Sequence, residues 1–273
     1  MSTQPTLVIV PGSFSTSDMY EPIFQGLRSK GYNIHILDPP CYPKNYKAGS
    51  GNPPPTMYDD AKFINEFVGK LVENGEDVVL LPHSYGGCPS SEALKGITQR
   101  ERSQKGKKGG VVRVAYLTAC VPRVGENLGQ VIKGGAPPIE VGEDGWMRHT
   151  DPAATGAICF NGLSLERQSS EALRFGRHSG PSFANELTHN GYKDVPVSWF
   201  FCEDDLCVVP EVQQTAIDAI EESWYAEGGR LEGKERKQKV DVTRVNCDHV
   251  PLLSAEKELL EWVEGVVALG GRE

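Results

Sequence analysis

The chain has 273 residues, enough for one large or two small domains and for a core that removes roughly 70 to 75% of the unfolded surface from water. Its 28 basic and 37 acidic side chains give a net charge of −9, which excludes a protein that holds nucleic acid or an anionic membrane by its overall field. A composition that is 38% apolar and 24% charged, with 30 glycines and 19 prolines, excludes disordered and fibrous classes.

In chain order, the β-branched run 6–10 predicts the first strand. A helix over 18–30 follows, with Met19, Ile23 and Leu27 on one face and Gly31 as its stop. Residues 33–37 predict a second strand. The stretch 39–56 holds six prolines and reads as a rigid loop. Met57, Ala61, Ile64, Val68 and Leu71 form one helical face, with Thr56 as N-cap and Gly75 beyond the end. The third strand, 77–81, runs into Pro82-His83-Ser84-Tyr85-Gly86-Gly87 and then a helical segment. A fourth strand is expected at 111–117, a fifth at 195–201 and a sixth at 239–245. The last two are followed by helices over 211–224 and 254–267, the latter capped by Ser254. The charged stretches 100–108 and 227–237 read as solvated loops.

Strands that alternate with helices predict an α/β fold with a doubly wound, six-stranded, mostly parallel sheet. Residues 123–194 are too long for one crossover helix and read as an inserted helical cap, so the core is expected from 1–122 and 195–273. Both long breaks lie beyond the carboxyl ends of strands, where an open parallel sheet places its binding crevice.

No apolar run approaches the ~20 residues of a membrane span, and the first residues lack the basic and apolar regions of a signal peptide. A cytoplasmic protein is the expectation. Seven scattered cysteines, an odd number with no Cys-x-x-Cys, predict free thiols. The six histidines are equally scattered, so no metal is expected. Neither Gly-x-Gly-x-x-Gly nor a Gly-Lys-Ser/Thr loop occurs, and no cofactor is expected. No heptad run suggests an obligate assembly, which leaves a monomer or weak homo-oligomer.

Ser84 lies in a tight strand-to-helix turn, a context that strains the backbone and lifts the hydroxyl above the sheet. Gly86 and Gly87 give the turn room; Pro82 stands where a glycine is usual. A serine hydroxyl needs a histidine to take its proton, and that histidine needs a carboxylate to fix its tautomer. The acidic triplet Glu203-Asp204-Asp205 follows the fifth strand and His249 follows the sixth. His83, next to the serine, is set aside as a second base because neighbours along a turn point apart. His149, His178 and His189 read as surface residues.

Val8-Ile9-Val10-Pro11-Gly12-Ser13-Phe14, the turn around Ser84, the segment from Cys202 to Gln213, and Asp248-His249 together resemble the α/β-hydrolase superfamily. Within it they resemble the group of plant methyl-ester esterases, hydroxynitrile lyases and fungal esterase-like proteins, from about Thr6 to Val267. The resemblance implies Ser84 as nucleophile and His249 as base. An Asp followed closely by Pro-Glu-x-Gln implies Asp205 as the acid. It also implies an oxyanion hole from the N–H groups of Ser13 and Tyr85, with Phe14 as the alternative donor. Phe14, Phe160, Leu163 and Phe183 are the candidate pocket residues, and Trp146, Met147, Leu173 and Phe175 divide between pocket and cap core.

A small-molecule carboxylic ester, cleaved through an acyl-enzyme, is the expected substrate. Carbon–carbon bond chemistry as a lyase or condensing enzyme is the alternative, although Val250 stands where one branch of plant hydroxynitrile lyases carries lysine. A small-molecule receptor on the same scaffold is the third reading. The cysteines Cys202, Cys207 and Cys247 flank the acid and histidine loops, so thiol reagents are expected to inhibit.

Overall fold

The computed structural model describes residues 4–44, 53–132 and 136–272; residues 45–52 of the proline-rich loop and 133–135 of the insertion lie outside it. Strand β1 (Thr6–Val10) is buried throughout and leads to helix α1 (Ser17–Ser29), which turns Tyr20, Ile23, Phe24 and Leu27 inward. After β2 (Ile34–Ile36) comes α2 (Met57–Glu73). That helix starts in a capping box, with Thr56 accepting from the Asp59 N–H and the Asp59 carboxylate accepting from the Thr56 N–H at 2.7 Å. Next come β3 (Asp77–Pro82), a 3₁₀ turn over Ser84–Gly86, α3 (Gly87–Ala93), α4 (Gln99–Ser103) and β4 (Gly110–Leu117).

The insertion carries α5 (Leu128–Val131), β5 (Ile139–Val141), β6 (Trp146–His149), α6 (Pro152–Cys159), α7 (Leu165–Ala172) and β7 (His178–Ser179). The chain closes with β8 (Val197–Cys202), α8 (Pro210–Tyr225), β9 (Asp241–Val245), the short α9 (Pro251–Ser254) and α10 (Glu256–Leu269).

Six strands form one sheet in the order β2-β1-β3-β4-β8-β9, with every pair parallel. This is the doubly wound α/β architecture that the alternation predicts. Alternate residues of the central strands feed opposite faces. Val8, Val10, Leu80, Tyr116 and Trp199 join α2 and α8 in one core, whereas Leu7, Ile9, Leu81, Leu117 and Phe200 join α1 and α10 in the other. The chain winds from β1 outward to β2 and then returns across β1 to β3, which puts the switch point between β1 and β3. The turns that follow these two strands, Gly12 to Ser15 and His83 to Gly86, therefore meet at one crevice.

Three expectations are corrected. The insertion is not purely helical: β5, β6 and β7 form a small antiparallel sheet, in which backbone N–H and C=O groups pair across strands. Ser254 does not cap α10; its hydroxyl donates to Asp248 Oδ1 at 2.6 Å, and Ala255 occupies the N-cap position.

The third correction concerns 100–108, which is not simply a solvated loop. It begins within α4, and Arg102 is buried, donating to the carbonyl oxygens of Val72, Lys108 and Gly109 at 2.8–2.9 Å and to Glu73 at 2.8 Å. The guanidinium binds together the turns that precede β3 and β4. Arg102→Ala is expected to destabilise the fold by about 2–3 kcal/mol, because buried carbonyls lose their donor; a urea midpoint equal to that of the parent protein would refute this.

Candidate active site

The sharp turn after β3 shapes the site. His83 N–H donates to Val10 O, which ends the strand pairing, and Ser84 then adopts φ of 52°. Gly86 and Gly87 leave no room for a side chain: an added Cβ would lie 2.8 Å from the Pro11 and Val10 oxygens at Gly86, and 2.5 Å from Cys120 O at Gly87. Among the described residues, left-handed φ at a non-glycine occurs at Phe14, Ser84 and Thr118, all at this crevice. Such strain persists only where surrounding contacts impose it, and it clusters at functional sites.

The Ser84 hydroxyl lies 2.9 Å from His249 Nε2, and His249 Nδ1 lies 2.8 Å from Asp205 Oδ2, with all three residues buried. A carboxylate only accepts, so Nδ1 carries the proton and Nε2 offers its lone pair to the serine. Burial works against a charge on His249, but the Asp205 carboxylate together with Cys207 holds the imidazole well above its ordinary value. Of the acidic triplet, Asp205 alone reaches this histidine among the described residues; Glu203 and Asp204 are exposed. Asp205 is itself fixed by the Thr118 hydroxyl at 2.5 Å and by the N–H groups of Cys207 and Val208 at 2.7 and 2.8 Å. Gln213, the last residue of the Pro-Glu-Val-Gln segment, bonds the backbone of Cys202 and Val208 and so holds the loop that carries Asp205.

Ser13, Phe14 and Tyr85 all border the cavity above Ser84. No hydrogen bond within the described residues occupies the Ser13 or Tyr85 N–H, so both are free to donate. Tyr85 is anchored from behind, its hydroxyl donating to the buried Asp60 at 2.9 Å and its ring packed against Phe183, Tyr42 and His178. Burial pushes the Asp60 carboxyl up to about 7.

The cavity measures about 410 Å³ and is walled mainly by apolar side chains, among them Leu128, Ile139, Met147, Phe175, Phe183 and Val250. Of the candidate pocket residues, Phe14 and Phe183 are in its wall. Phe160 and Leu163 are not: Phe160 is wholly buried and both pack into the core beside α1 and α10, with the turn between them tied to the acid and histidine loops by Asn161 Nδ2 to Asp204 O and Gly162 N–H to Asp248. Leu173 is exposed, whereas Met147 and Phe175 line the cavity. His149 and His178 are not surface residues; His149 borders the cavity, packed edge-on against Phe14 with ring centroids 4.3 Å apart, and His178 is wholly buried. Cys120, Cys159 and Cys207 border the cavity, whereas Cys202 and Cys247 do not, so of the three cysteines that flank the acid and histidine loops Cys207 is the one that faces it.

Thr118, Gln213 and Asp248 escape sequence reasoning as site residues. Asp248 is buried beside His249, accepting from the N–H groups of Val250 and Gly162 at 2.9 and 3.0 Å, and so ties the histidine loop to the insertion. The Asp-His dipeptide is the one local signal for it; a single threonine at a strand end carries none. His83 does not reach Ser84. It borders the cavity, but its two ring nitrogens are taken up by Tyr20 and the backbone of His249.

Comparison with known proteins places the fold. Residues 7–262 match the sequence model of the alpha/beta hydrolase family. A probable hydrolase, R7, of Phoma sp. is 35% identical over 259 residues, which cover 94% of this chain and 96% of that protein. Among solved structures, polyneuridine aldehyde esterase superposes with a TM-score of 0.63 at 17% identity, over 97% of this chain and 99% of the other. Tomato methylketone synthase I in complex with 2-tridecanone gives 0.69 at 16% identity, over 98% and 99%. At such identities the superpositions speak to the fold, and the family match and the Phoma relative carry the assignment: this chain belongs to the alpha/beta hydrolase family.

Proposed function

We propose that this protein hydrolyses a small, largely apolar carboxylic ester through an acyl-enzyme on Ser84. The observation that carries this reading is the hydrogen-bonded series Ser84–His249–Asp205 at the floor of an apolar cavity of about 410 Å³, beside the unengaged N–H groups of Ser13 and Tyr85. Ser84 Oγ attacks the carbonyl carbon as its proton passes to His249 Nε2, and the developing oxyanion accepts from the Ser13 and Tyr85 N–H groups. Collapse breaks the ester C–O bond, with His249 returning the proton to the departing alcohol. Water, deprotonated by His249, then attacks the acyl carbon and releases the acid and free Ser84. The polyneuridine aldehyde esterase, with the same fold, supports ester chemistry by likeness alone.

Rapid quenching of a p-nitrophenyl ester reaction, with esters graded from acetate to dodecanoate, tests the reading by intact mass. The expected result is an increment equal to the acyl group, located on the peptide that contains Ser84, with an optimum at intermediate chain length. Release of acid with no adduct under any quench time would refute the covalent route. A second reading, carbon–carbon bond chemistry with Ser84 and His249 acting only as acid and base, draws on the fold shared with methylketone synthase I. Under that reading no p-nitrophenyl ester leaves an acyl mark.

A further inference from the structure

Beneath the crevice a second set of hydrogen bonds runs where the acyl mechanism has no use for it. His83 Nε2 lies 2.9 Å from the carbonyl oxygen of His249, and His83 Nδ1 lies 2.5 Å from the hydroxyl of Tyr20. That hydroxyl accepts from the Gly12 N–H at 2.9 Å. Every group in the series is buried.

Donor and acceptor chemistry places the hydrogens. A carbonyl oxygen only accepts, so His83 Nε2 carries the ring proton and donates it to His249 O. Nδ1 then holds a lone pair, and the Tyr20 hydroxyl donates to it. With its proton so committed, Tyr20 Oη accepts from Gly12. The series therefore has one direction, Gly12 N–H to Tyr20 O–H to His83 Nδ1, and His83 Nε2–H to His249 O. It closes only while His83 is neutral, and burial, with His249 nearby, depresses this imidazole to about 3. Burial likewise pushes the Tyr20 phenol up, so it stays protonated.

The two ends of this series are the two parts that acyl transfer must hold in register. Gly12 immediately precedes Ser13, which borders the cavity, and an added Cβ on Gly12 would lie 3.1 Å from Ser84 Cβ and 3.2 Å from His83 Nδ1. His249 is the base. The geometry points to His83 and Tyr20 as positioning residues that couple the oxyanion loop to the backbone of the base, resting on the ester-hydrolysis reading for the reaction they serve. Tyr20 lies outside the cavity, and His83 borders it with both ring nitrogens engaged by Tyr20 and the His249 backbone. They act by keeping the Ser13 N–H at a fixed distance from the carbon that Ser84 attacks, and a donor displaced from the oxyanion loses most of its effect in the transition state and little in the ground state.

Tyr20→Phe removes the middle link and keeps the ring. The expected result is a kcat about ten- to a hundredfold lower on p-nitrophenyl esters with KM within about twofold. Binding of an alkyl trifluoromethyl ketone, which forms a tetrahedral adduct on the serine, weakens by the same factor. An unchanged kcat, or a loss confined to KM, overturns the coupling. His83→Gln, whose amide N–H can still donate to His249 O, is expected to retain more activity than His83→Leu; equal losses in the two reduce His83 to packing and overturn the proposal. Spectra of nitrogen-labelled histidine rings supply a readout that needs no turnover: His83 carries its proton on Nε2, and Tyr20→Phe shifts the ring resonances of His249. A proton on Nδ1 of His83, or His249 resonances unmoved by the substitution, overturns the coupling. Absence of ester turnover in the parent protein instead overturns the reading of the reaction, and the coupling is then decided by these spectra.

Discussion

Ser84→Ala is expected to lower kcat for p-nitrophenyl ester cleavage by about 10⁴-fold or more while leaving the protein folded. The size of the effect follows from the geometry. The hydroxyl oxygen is the one atom of the turn that lies both at the cavity floor and within hydrogen-bond reach, 2.9 Å, of His249 Nε2. The backbone of the elbow does not depend on that atom: the left-handed φ of Ser84 is imposed by the His83 N–H to Val10 O bond before it and by the crowding of Gly86 and Gly87 after it. Alanine has the same Cβ, so it inherits the strain without adding to it. An unfolding midpoint close to that of the parent, combined with loss of the acyl adduct, is the predicted pair of results. Retained turnover in Ser84→Ala would show that another group carries the chemistry.

Asp205→Asn is expected to cost about 10⁴-fold in kcat, by a different route. The substitution puts an amide where three donors already converge, the Thr118 hydroxyl and the N–H groups of Cys207 and Val208. The Cys207 and Val208 N–H groups, which bond Oδ1, claim the amide oxygen and turn its NH₂ to the Oδ2 position, toward His249 Nδ1, where the Thr118 hydroxyl must then accept instead of donate. That nitrogen must then accept, the ring proton moves to Nε2, and the lone pair that should take the proton of Ser84 is gone.

The same substitution has a signature in pH. His249 works as a base only when neutral, and Asp205 holds its pKa above the ordinary histidine value, so kcat/KM in the parent protein rises with pH along a one-proton limb whose midpoint lies above about 6.5. Removing the carboxylate removes the larger of the two influences that raise the pKa, the other being Cys207, and leaves burial, which lowers it. The residual activity of Asp205→Asn is therefore expected to have its acid limb shifted to lower pH. A limb that stays in place would mean that a group other than His249 controls the profile.

How much of the molecule is legible in the chain differs from element to element. The strands and long helices of the core are legible because their signals are local: β-branched runs of five to eight residues, and apolar positions three and four apart in α2. Ser84 is legible because a strand on one side and two glycines on the other force the sharp turn that exposes a nucleophile. Asp205 and His249 are legible as residues of loops that follow strands, and the resemblance to a known family narrows the acid from three candidates to one. The start of α10 and the role of Ser254 are not legible, since a serine before a helical pattern suggests a cap whether or not a nearby carboxylate competes for its hydroxyl. Arg102 reads as solvated because its charge is visible in the sequence and the buried carbonyls that receive it are not.

By itself the sequence determined the alternation of elements, the parallel sheet that follows from it, and which side chains the turns at the ends of β1, β3, β8 and β9 carry. Periodicity and turn preference act over a few residues, and those interactions are written in neighbouring letters. The tertiary structure decided which side chains meet. Thr118 lies 87 positions from Asp205, and His83 lies 166 from the carbonyl it supports. It also decided that Phe160 packs into the core while Phe175 walls the cavity. Both are phenylalanines in the same insertion, with the same burial energy to gain. Only the path of the backbone, set by how the insertion closes over the sheet, determines whether a ring finds the core or the crevice.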